Sequence, residues 1–458
     1  HQQQMKEHGI MPIDMVVVNL YPFEKTVVRE NVTMEEAIEN IDIGGPSMIR
    51  SAAKNHKYVA VIVDPGRYKS VLEELRTYNG AISGKTCFEL AVEAFRHTSS
   101  YDKAIADYFG VCQSDERQAT SDEQRFPTVL TLRLKKKQDL RYGENPHQSA
   151  VFYVEDAVNE PCVSNAQQLT GKELSYNNIM DLNAALELVK EFEEPSVVII
   201  KHTNPCGAGY AKSLTEAYIK AHSGDPVSAF GCIIGLNREV DVQTAEAITA
   251  PGHFVEAMIA PDYDKEAIEI LTKKRKWGES LRILKTGTLP SLTLPVHGEG
   301  RVGIDSNALD MKRVVGGLLV QGRDLATFDI NTIKYVTKKR PTEKEVQNLM
   351  FAWIVCKHVK SNAIVLAQEG MIVGVGAGQM SRVDSTEIAI KKAGDRVHGS
   401  VLASDAFFPF RDSIDIAAKA GITSVVQPGG SNKDDEVIAA ANEHNISMVF
   451  TGQRHFRH

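Results

Sequence analysis

Lys201-His202-Thr203-Asn204-Pro205-Cys206-Gly207 follows the apolar run Ser196-Val197-Val198-Ile199-Ile200, so an ammonium and an imidazole stand where a strand should end. Ligands of open α/β sheets gather at strand ends. A neutral imidazole there can take a proton from an attacking amine, while the ammonium stabilises charge developing on a carbonyl oxygen. That is equipment for acyl transfer without a serine nucleophile or a metal. The competing reading is a strand terminus followed by a Pro-Gly turn, with His202 capping a backbone group. His202 and Cys206 stand four apart, but Pro205 and Gly207 oppose a helix there and no second ligand pair accompanies them, so no metal site is expected.

Leu140 to Gln148 (LRYGENPHQ) is a second dense segment. Arg141 can fork onto a phosphate and Tyr142 can offer a face to a heterocycle; a plain turn with a solvated Arg is the alternative. Ser404 to Asp412 (SDAFFPFRD) holds three phenylalanines between carboxylates, suited to a flat conjugated ligand or to core packing. Three glycine-containing turns, Asp42 to Ser47, Gly374 to Gln379 and Gln427 to Ser431, can present backbone N–H groups to anions. In the last, Ser431 and Asp434 have capping-box spacing ahead of a helix reaching Glu443.

These segments need elements to hold them. Met15 to Leu20 and Tyr58 to Asp64 read as buried strands around a helix from Met48 to Asn55, a βαβ unit. The polar stretch Gln113 to Gln124 reads as a linker, with a second domain beginning near Pro127. Beyond it a helix over Asn177 to Glu193 feeds the strand ending at Lys201, and Gly231 to Leu236 is a further strand. Ala363 to Leu366, Met371 to Val375, Val401 to Phe408, Ser424 to Gln427 and Ser447 to Phe450 read as strands of a related half. Lys201-His202 after one strand and Lys360-Ser361-Asn362 before another hint at that duplication.

A chain of 458 residues exceeds one usual core, so two or three domains are expected. Its 43% hydrophobic and 24% charged residues are those of a globular protein, and the net charge of −7 opposes a general nucleic-acid binder. Six scattered cysteines with no CxxC pair read as reduced thiols in a cytoplasmic protein. No apolar run reaches membrane-spanning length. His1-Gln2-Gln3-Gln4-Met5 lacks an initiator Met and a signal-peptide core, so the chain is expected to begin inside a longer reading frame.

Taken together, Leu140 to Gln148, Lys201 to Gly207, Ser228 to Gly231, Gly376 to Arg382, Ser404 to Phe410 and Arg454 to His458 resemble a family: the bifunctional purine-biosynthesis proteins that join AICAR transformylase to IMP cyclohydrolase. The likeness runs in order from about Ile10 to His458. It implies an α/β fold: a truncated methylglyoxal-synthase-like domain over 1–126, then a duplicated cytidine-deaminase-like transformylase region over 127–305 and 306–458. It implies formyl transfer from 10-formyltetrahydrofolate to the 5-amino group of AICAR, giving FAICAR, followed in the intact protein by dehydrative closure to IMP.

By the same resemblance Lys201, His202 and Asn362 are catalytic. Arg141, Tyr142, Gly231, Glu256, Ser361, Arg382, Arg454 and His458 contact the nucleotide, and Phe407 and Asp412 contact folate. Tyr21, Asp42 and Lys54 serve the cyclohydrolase. A homodimer is implied, with room for a structural monovalent cation, no catalytic metal, and no nucleic-acid or membrane partner. The family's glycine-rich phosphate turn and first catalytic lysine should lie upstream of His1. A silent nucleotide-binding or dimerisation module is the rival, disfavoured by the presence of Lys201, His202, Asn362 and Phe407. A zinc nucleoside deaminase would need a Cys-x-x-Cys pair that this chain lacks.

Overall fold

A computed structural model of the protein describes residues 2–29, 32–116, 126, 128–155, 158–289 and 308–458. Two compact units divide it, His1–Thr131 and Leu132–His458. In the first, strands β1 (Met15–Val17) and β2 (Ala60–Ile62) pair in parallel, with Met15 opposite Ala60. Helix α1 (Gly44–Lys54) connects them, and Ile49, Ala52 and Ala53 pack on Val61 and Val63. The ladder is shorter than the apolar runs because Asn19 and Leu20 leave it ahead of Pro22, which has no N–H to donate. Helix α2 runs from Gly84 to Glu116, so residues 113–116 of the expected linker are helical. The rest of that linker, and the expected boundaries at 126/127 and 305/306, touch or lie outside the described residues.

The second unit is organised by a twelve-stranded sheet. Its first half comprises β5 (Gln167–Thr170), helix α3 (Tyr176–Val189), β6 (Ser196–Lys201), β7 (Asn204–Tyr210), α4 (Leu214–Gly224), β8 (Cys232–Leu236), α5 (Val242–Ile248), β9 (Val255–Ala260), α6 (Lys265–Lys273) and β10 (Arg282–Lys285). Strands β3 (Lys135–Leu140) and β4 (Ala150–Val154) form a separate antiparallel pair, as do β11 (Leu309–Val314) and β12 (Gly317–Gly322). The second half comprises β13 (Lys334–Tyr335), α7 (Glu343–Lys357), β14 (Ile364–Gln368), β15 (Met371–Gly376), α8 (Arg382–Ala393), β16 (Val401–Ser404), α9 (Asp412–Lys419), β17 (Ser424–Gln427), α10 (Asp434–Glu443) and β18 (Ser447–Phe450).

Each half repeats one connectivity. β6 is antiparallel to β7 and β8, while β8, β9 and β10 run parallel; β14 is antiparallel to β15 and β16, while β16, β17 and β18 run parallel. The halves join where β15 meets β7 antiparallel, at Met371 opposite Gly209. By this connectivity the β6–β7 hairpin corresponds to the turn at Glu369-Gly370, so Lys201-His202 and Lys360-Ser361-Asn362 are not copies of each other. They are neighbours across the joint.

Both faces of the sheet are covered, which explains the continuous apolar runs. On β6, Val198 and Ile200 face a core shared with Leu182, Leu186, Ala352 and Trp353 of α3 and α7. Val197 and Ile199 face the other way, into a core with Leu214, Tyr218 and Ile248. β16 stops at Ser404, short of the expected Phe408, because the next carboxylate, Asp405, turns to Arg382.

One packing feature of the first half is sensitive to acid. The His222 and His253 rings stack at 3.8 Å, and Tyr218 Oη lies 2.8 Å from His253 Nδ1. Burial, then the neighbouring His253, pushes the His222 pKa down from 6.5 to about 4. An unfolded chain takes up this proton as pH falls from 6.5 toward 4, so the contribution to stability is complete above pH 6.5 and is lost across that window. His222→Phe keeps a ring against His253 and is expected to remove about 1–2 kcal/mol of that acid sensitivity. Thermal midpoints measured at several pH values check this; identical profiles for variant and parent would contradict it.

Candidate active site

Two residues close the β6–β7 hairpin. His202 and Thr203 adopt left-handed φ of 53° and 61°, and Lys201 pairs with Asn204. Such turns match the twist of a hairpin but favour Asn and Gly; a β-branched Thr there stores about 1–3 kcal/mol of strain. Local bonds over-determine it. Thr203 N donates to Asp181 Oδ1 at 2.6 Å, Thr203 Oγ1 donates to the His202 carbonyl at 2.7 Å, and Asn204 Nδ2 reaches the same carbonyl at 3.1 Å. The imidazole is left exposed at the tip. Pro205 and Gly207, read from sequence as a turn, lie in β7, where Pro205 is accommodated by a register shift opposite Ile199 and Ile200.

Lys201 Nζ is held by the carbonyls of Phe230 and Gly231, at 2.9 and 2.8 Å. Gly231 has φ +70°, and a Cβ there would stand 3.3 Å from that ammonium. Because β6 is antiparallel to β8, the pair sits beside the beginning of β8 and not at the carboxyl ends of parallel strands.

The first turns of α3 tie this tip to other predicted residues. Ser175 and Asn178 form a capping box. Asn177 Nδ2 donates to the Glu144 carbonyl of the Leu140–Gln148 loop and Asn178 Nδ2 to Glu256 Oε2, both at 3.4 Å. In that loop Arg141 lies 5.7 Å over the Tyr142 ring, and Gly143 N closes the turn on the Gln148 carbonyl at 2.8 Å. Asp181 was not singled out from sequence. Its signal was the spacing of Asn177, Asn178 and Asp181, which sets three polar side chains on neighbouring positions of the first turns of the helix.

Across the joint, Asn204 Oδ1 accepts from Lys360 N at 3.0 Å, which brings Ser361 and Asn362 to the hairpin tip. Asn362 Nδ2 donates to the Gln379 carbonyl at 2.9 Å, and Ser361 Oγ to Asp405 Oδ2 at 2.6 Å. Arg382, expected to contact the nucleotide, is instead buried: NH1 meets Asp405 Oδ1 at 2.7 Å and Nε donates to the Phe407 carbonyl at 3.1 Å. Burial pushes the Asp405 carboxyl up, opposed by the Arg382 charge. The three phenylalanines part company. Phe408 is in the core, whereas Phe407 and Phe410 are exposed. Asp412 begins α9 and accepts from Ser413 N at 2.7 Å.

The C-terminal tail runs along the joint, where Arg457 N donates to Ser361 Oγ at 3.1 Å and the Arg457 carbonyl accepts from Ser361 N at 3.0 Å. Arg454 lies 4.4 Å over the Phe456 ring. His458 lines a cavity of about 900 Å³ with Glu160, Lys190 and Arg323, a wall that includes neither Lys201 nor His202. In the first unit Tyr21 N donates to Asp42 Oδ2 at 3.4 Å, and Asp42 N to Tyr101 Oη at 2.8 Å. Lys54 ends α1, roughly 15 Å along the axis from Gly44.

In two of the three glycine turns a nearby carboxylate takes a backbone N–H, and in the third Gly378 N donates to the Lys360 carbonyl at 2.7 Å. Gly45 N donates to Asp42 Oδ1 and Gly430 N to Asp434 Oδ2, each at 2.7 Å, so carboxylates occupy the places of an anion. Asp434 thus reaches back to Gly430, and no capping box forms with Ser431. Gly376 lies in β15, where a Cβ would come 1.9 Å from the Ser385 carbonyl; it permits helix-to-strand contact. Burial, then Asp225, pushes the Cys206 thiol up to about 12, which disfavours its thiolate. Among the described residues no three His, Cys, Asp or Glu side chains converge as metal ligands would.

A doubly covered α/β sheet that gathers an ammonium, an imidazole and amide groups at the joint of two like halves defines the class: an α/β protein with a duplicated sheet. A protein-family model described as AICARFT/IMPCHase bienzyme matches residues 52–392, and one described as MGS-like domain matches residues 1–47. The chain belongs to the AICARFT/IMPCHase bienzyme family, the bifunctional AICAR transformylase/IMP cyclohydrolases. A solved structure titled "Crystal structure of ForH" is 34% identical over 24% of this chain and 56% of that one, with a TM-score of 0.22 that lends it no weight for the fold. The chain therefore spans little more than half of that solved chain.

Proposed function

We propose that this protein transfers the formyl group of 10-formyltetrahydrofolate to the 5-amino group of AICAR, giving FAICAR. The observation that carries the reading is the joint itself: one hydrogen bond, Lys360 N to Asn204 Oδ1, couples the Lys201-His202 tip to Ser361-Asn362. The amine of AICAR is a weak nucleophile because its lone pair is delocalised into the ring. As its nitrogen bonds to the formyl carbon, His202 takes the departing proton, directly or through the substrate carboxamide, and Lys201 stabilises the tetrahedral oxyanion. Collapse breaks the bond to the folate nitrogen, which takes a proton from the Lys201 ammonium as it leaves. Asn362 stands beside the reacting groups, Arg141, Tyr142, Gly231 and Glu256 hold the nucleotide, and Phe407 and Asp412 the folate; Arg454 and His458 belong to the tail that Arg457 ties to Ser361, and they reach the nucleotide from there.

In this reading the halves of the sheet are cytidine-deaminase-like, the active protein is a cytoplasmic homodimer, and Tyr21, Asp42 and Lys54 serve ring closure of FAICAR to IMP, an intramolecular step that needs mainly orientation. None of the described helices is long and apolar enough to cross a membrane. Purified protein mixed with AICAR and 10-formyltetrahydrofolate should consume both and form FAICAR, with IMP measured separately. Unchanged AICAR at high enzyme concentration would remove the reading in favour of a silent nucleotide-binding module.

Gly231 supplies a finer test. Gly231→Ala forces a side chain to φ +70° beside the Lys201 ammonium, and is expected to cost about 1–2 kcal/mol of stability and to slow formyl transfer more than it weakens AICAR binding. Urea titration with steady-state kinetics checks both; full turnover would release Lys201 from its role.

A further inference from the structure

The conspicuous unassigned group beside the reacting pair is the Asp181 carboxylate. It sits on α3, two fully buried leucines (Leu182 and Leu186) anchoring that helix in the core, so its position is fixed from beneath. Its Oδ1 accepts the Thr203 N–H at 2.6 Å, inside the strained two-residue turn that carries His202. Burial pushes this carboxyl up, while the Thr203 and His202 backbone N–H groups and the charges of His202 and Lys201 pull it down. Left-handed Thr needs such an acceptor: without it, the exposed hairpin tip is free to relax to another turn and re-aim the imidazole.

We propose that Asp181 is the positioning residue for His202 in formyl transfer, holding the His202-Thr203 turn in its left-handed form and placing a fixed negative charge near the imidazolium that forms when His202 takes the proton. The inference rests on the formyl-transfer reading. It assigns Asp181 no contact with substrate; the carboxylate acts through the turn, and with Asn177 and Asn178 it makes the first turns of α3 the common frame for the Leu140–Gln148 loop, Glu256 and the catalytic pair.

Two variants separate its roles. Asp181→Asn keeps an oxygen that can accept the Thr203 N–H but removes the charge; Asp181→Ala removes both. We expect kcat to fall about 10-fold in the first and about 100-fold in the second, the scale of a misplaced catalytic group, with KM for AICAR within about twofold of the parent. Amide hydrogen exchange at Thr203 should stay slow in Asp181→Asn and speed up in Asp181→Ala, a readout that does not depend on activity. The inference is overturned if Asp181→Ala retains kcat within threefold, if KM rises by the factor that kcat falls, or if Thr203 exchange is unchanged in both variants. An inactive parent overturns the formyl-transfer reading itself, and the exchange measurement then still decides whether Asp181 holds the turn. Should Asp181→Ala fail to fold, Asp181→Asn alone carries the kinetic test.

Discussion

His202→Asn lowers the kcat for formyl transfer by about 10²- to 10⁴-fold, the usual worth of a general base, while AICAR binding changes little. Asparagine is the informative replacement because the position has φ 53°. Asn tolerates the left-handed region, so the turn, the Lys201 anchor and the Asn204–Lys360 link should all persist. Alanine lacks that tolerance and would mix loss of the base with distortion of the hairpin. Rapid-mix measurement of FAICAR formation, with calorimetric titration of AICAR, separates chemistry from binding. Turnover within tenfold of the parent would mean that the proton leaves by another route, and the Lys–His pair would lose its central place.

The second large effect concerns stability. Removing either partner of the Arg382–Asp405 pair is expected to destabilise the second unit by about 3–5 kcal/mol, because the remaining charge is left buried without its counter-ion. The pair meets at 2.7 Å with side-chain exposures of 7% and 0%, so little solvent can compensate. Arg382→Met combined with Asp405→Leu should recover part of the loss, since it removes both charges. Both tryptophans of the chain, Trp277 and Trp353, lie in this unit, so urea unfolding followed by tryptophan fluorescence reports it directly. The sequence expectation that Arg382 contacts the nucleotide makes the opposite forecast for Arg382→Ala, a raised KM with near-parental stability. A parental urea midpoint would restore that expectation.

Legibility differed from element to element for definite reasons. The central strands with apolar residues on both faces announced themselves, and Ser196–Lys201, Ser424–Gln427 and Ser447–Phe450 fall where the apolar runs placed them, whereas β5, β7, β9, β10 and β13 were not read as strands, β7 because Pro205 and Gly207 look like a turn. The start of α3 was visible in its spacing. The glycine turns misled, since an N–H group ready for an anion and one already taken by Asp42 or Asp434 look alike in one dimension. The ion pair of Arg382 was equally invisible: its partner is 23 residues away, after α8 and into the turn beyond β16. Asp181 was overlooked because a carboxylate on a polar helix face is ordinary until a strained amide is found 2.6 Å from it.

By itself the sequence determined which side chains were candidates for chemistry, the alternation of strands and helices, and the family likeness, all of which rest on residue types and short-range spacing. Only the tertiary structure decided that Lys201-His202 and Ser361-Asn362 meet. Their encounter depends on β7 pairing with β15 at one register, and on an amide finding an acceptor 156 residues away in the chain. Such pairings are set by how whole elements pack against a common core, and no local pattern encodes which distant partner will saturate a given polar group.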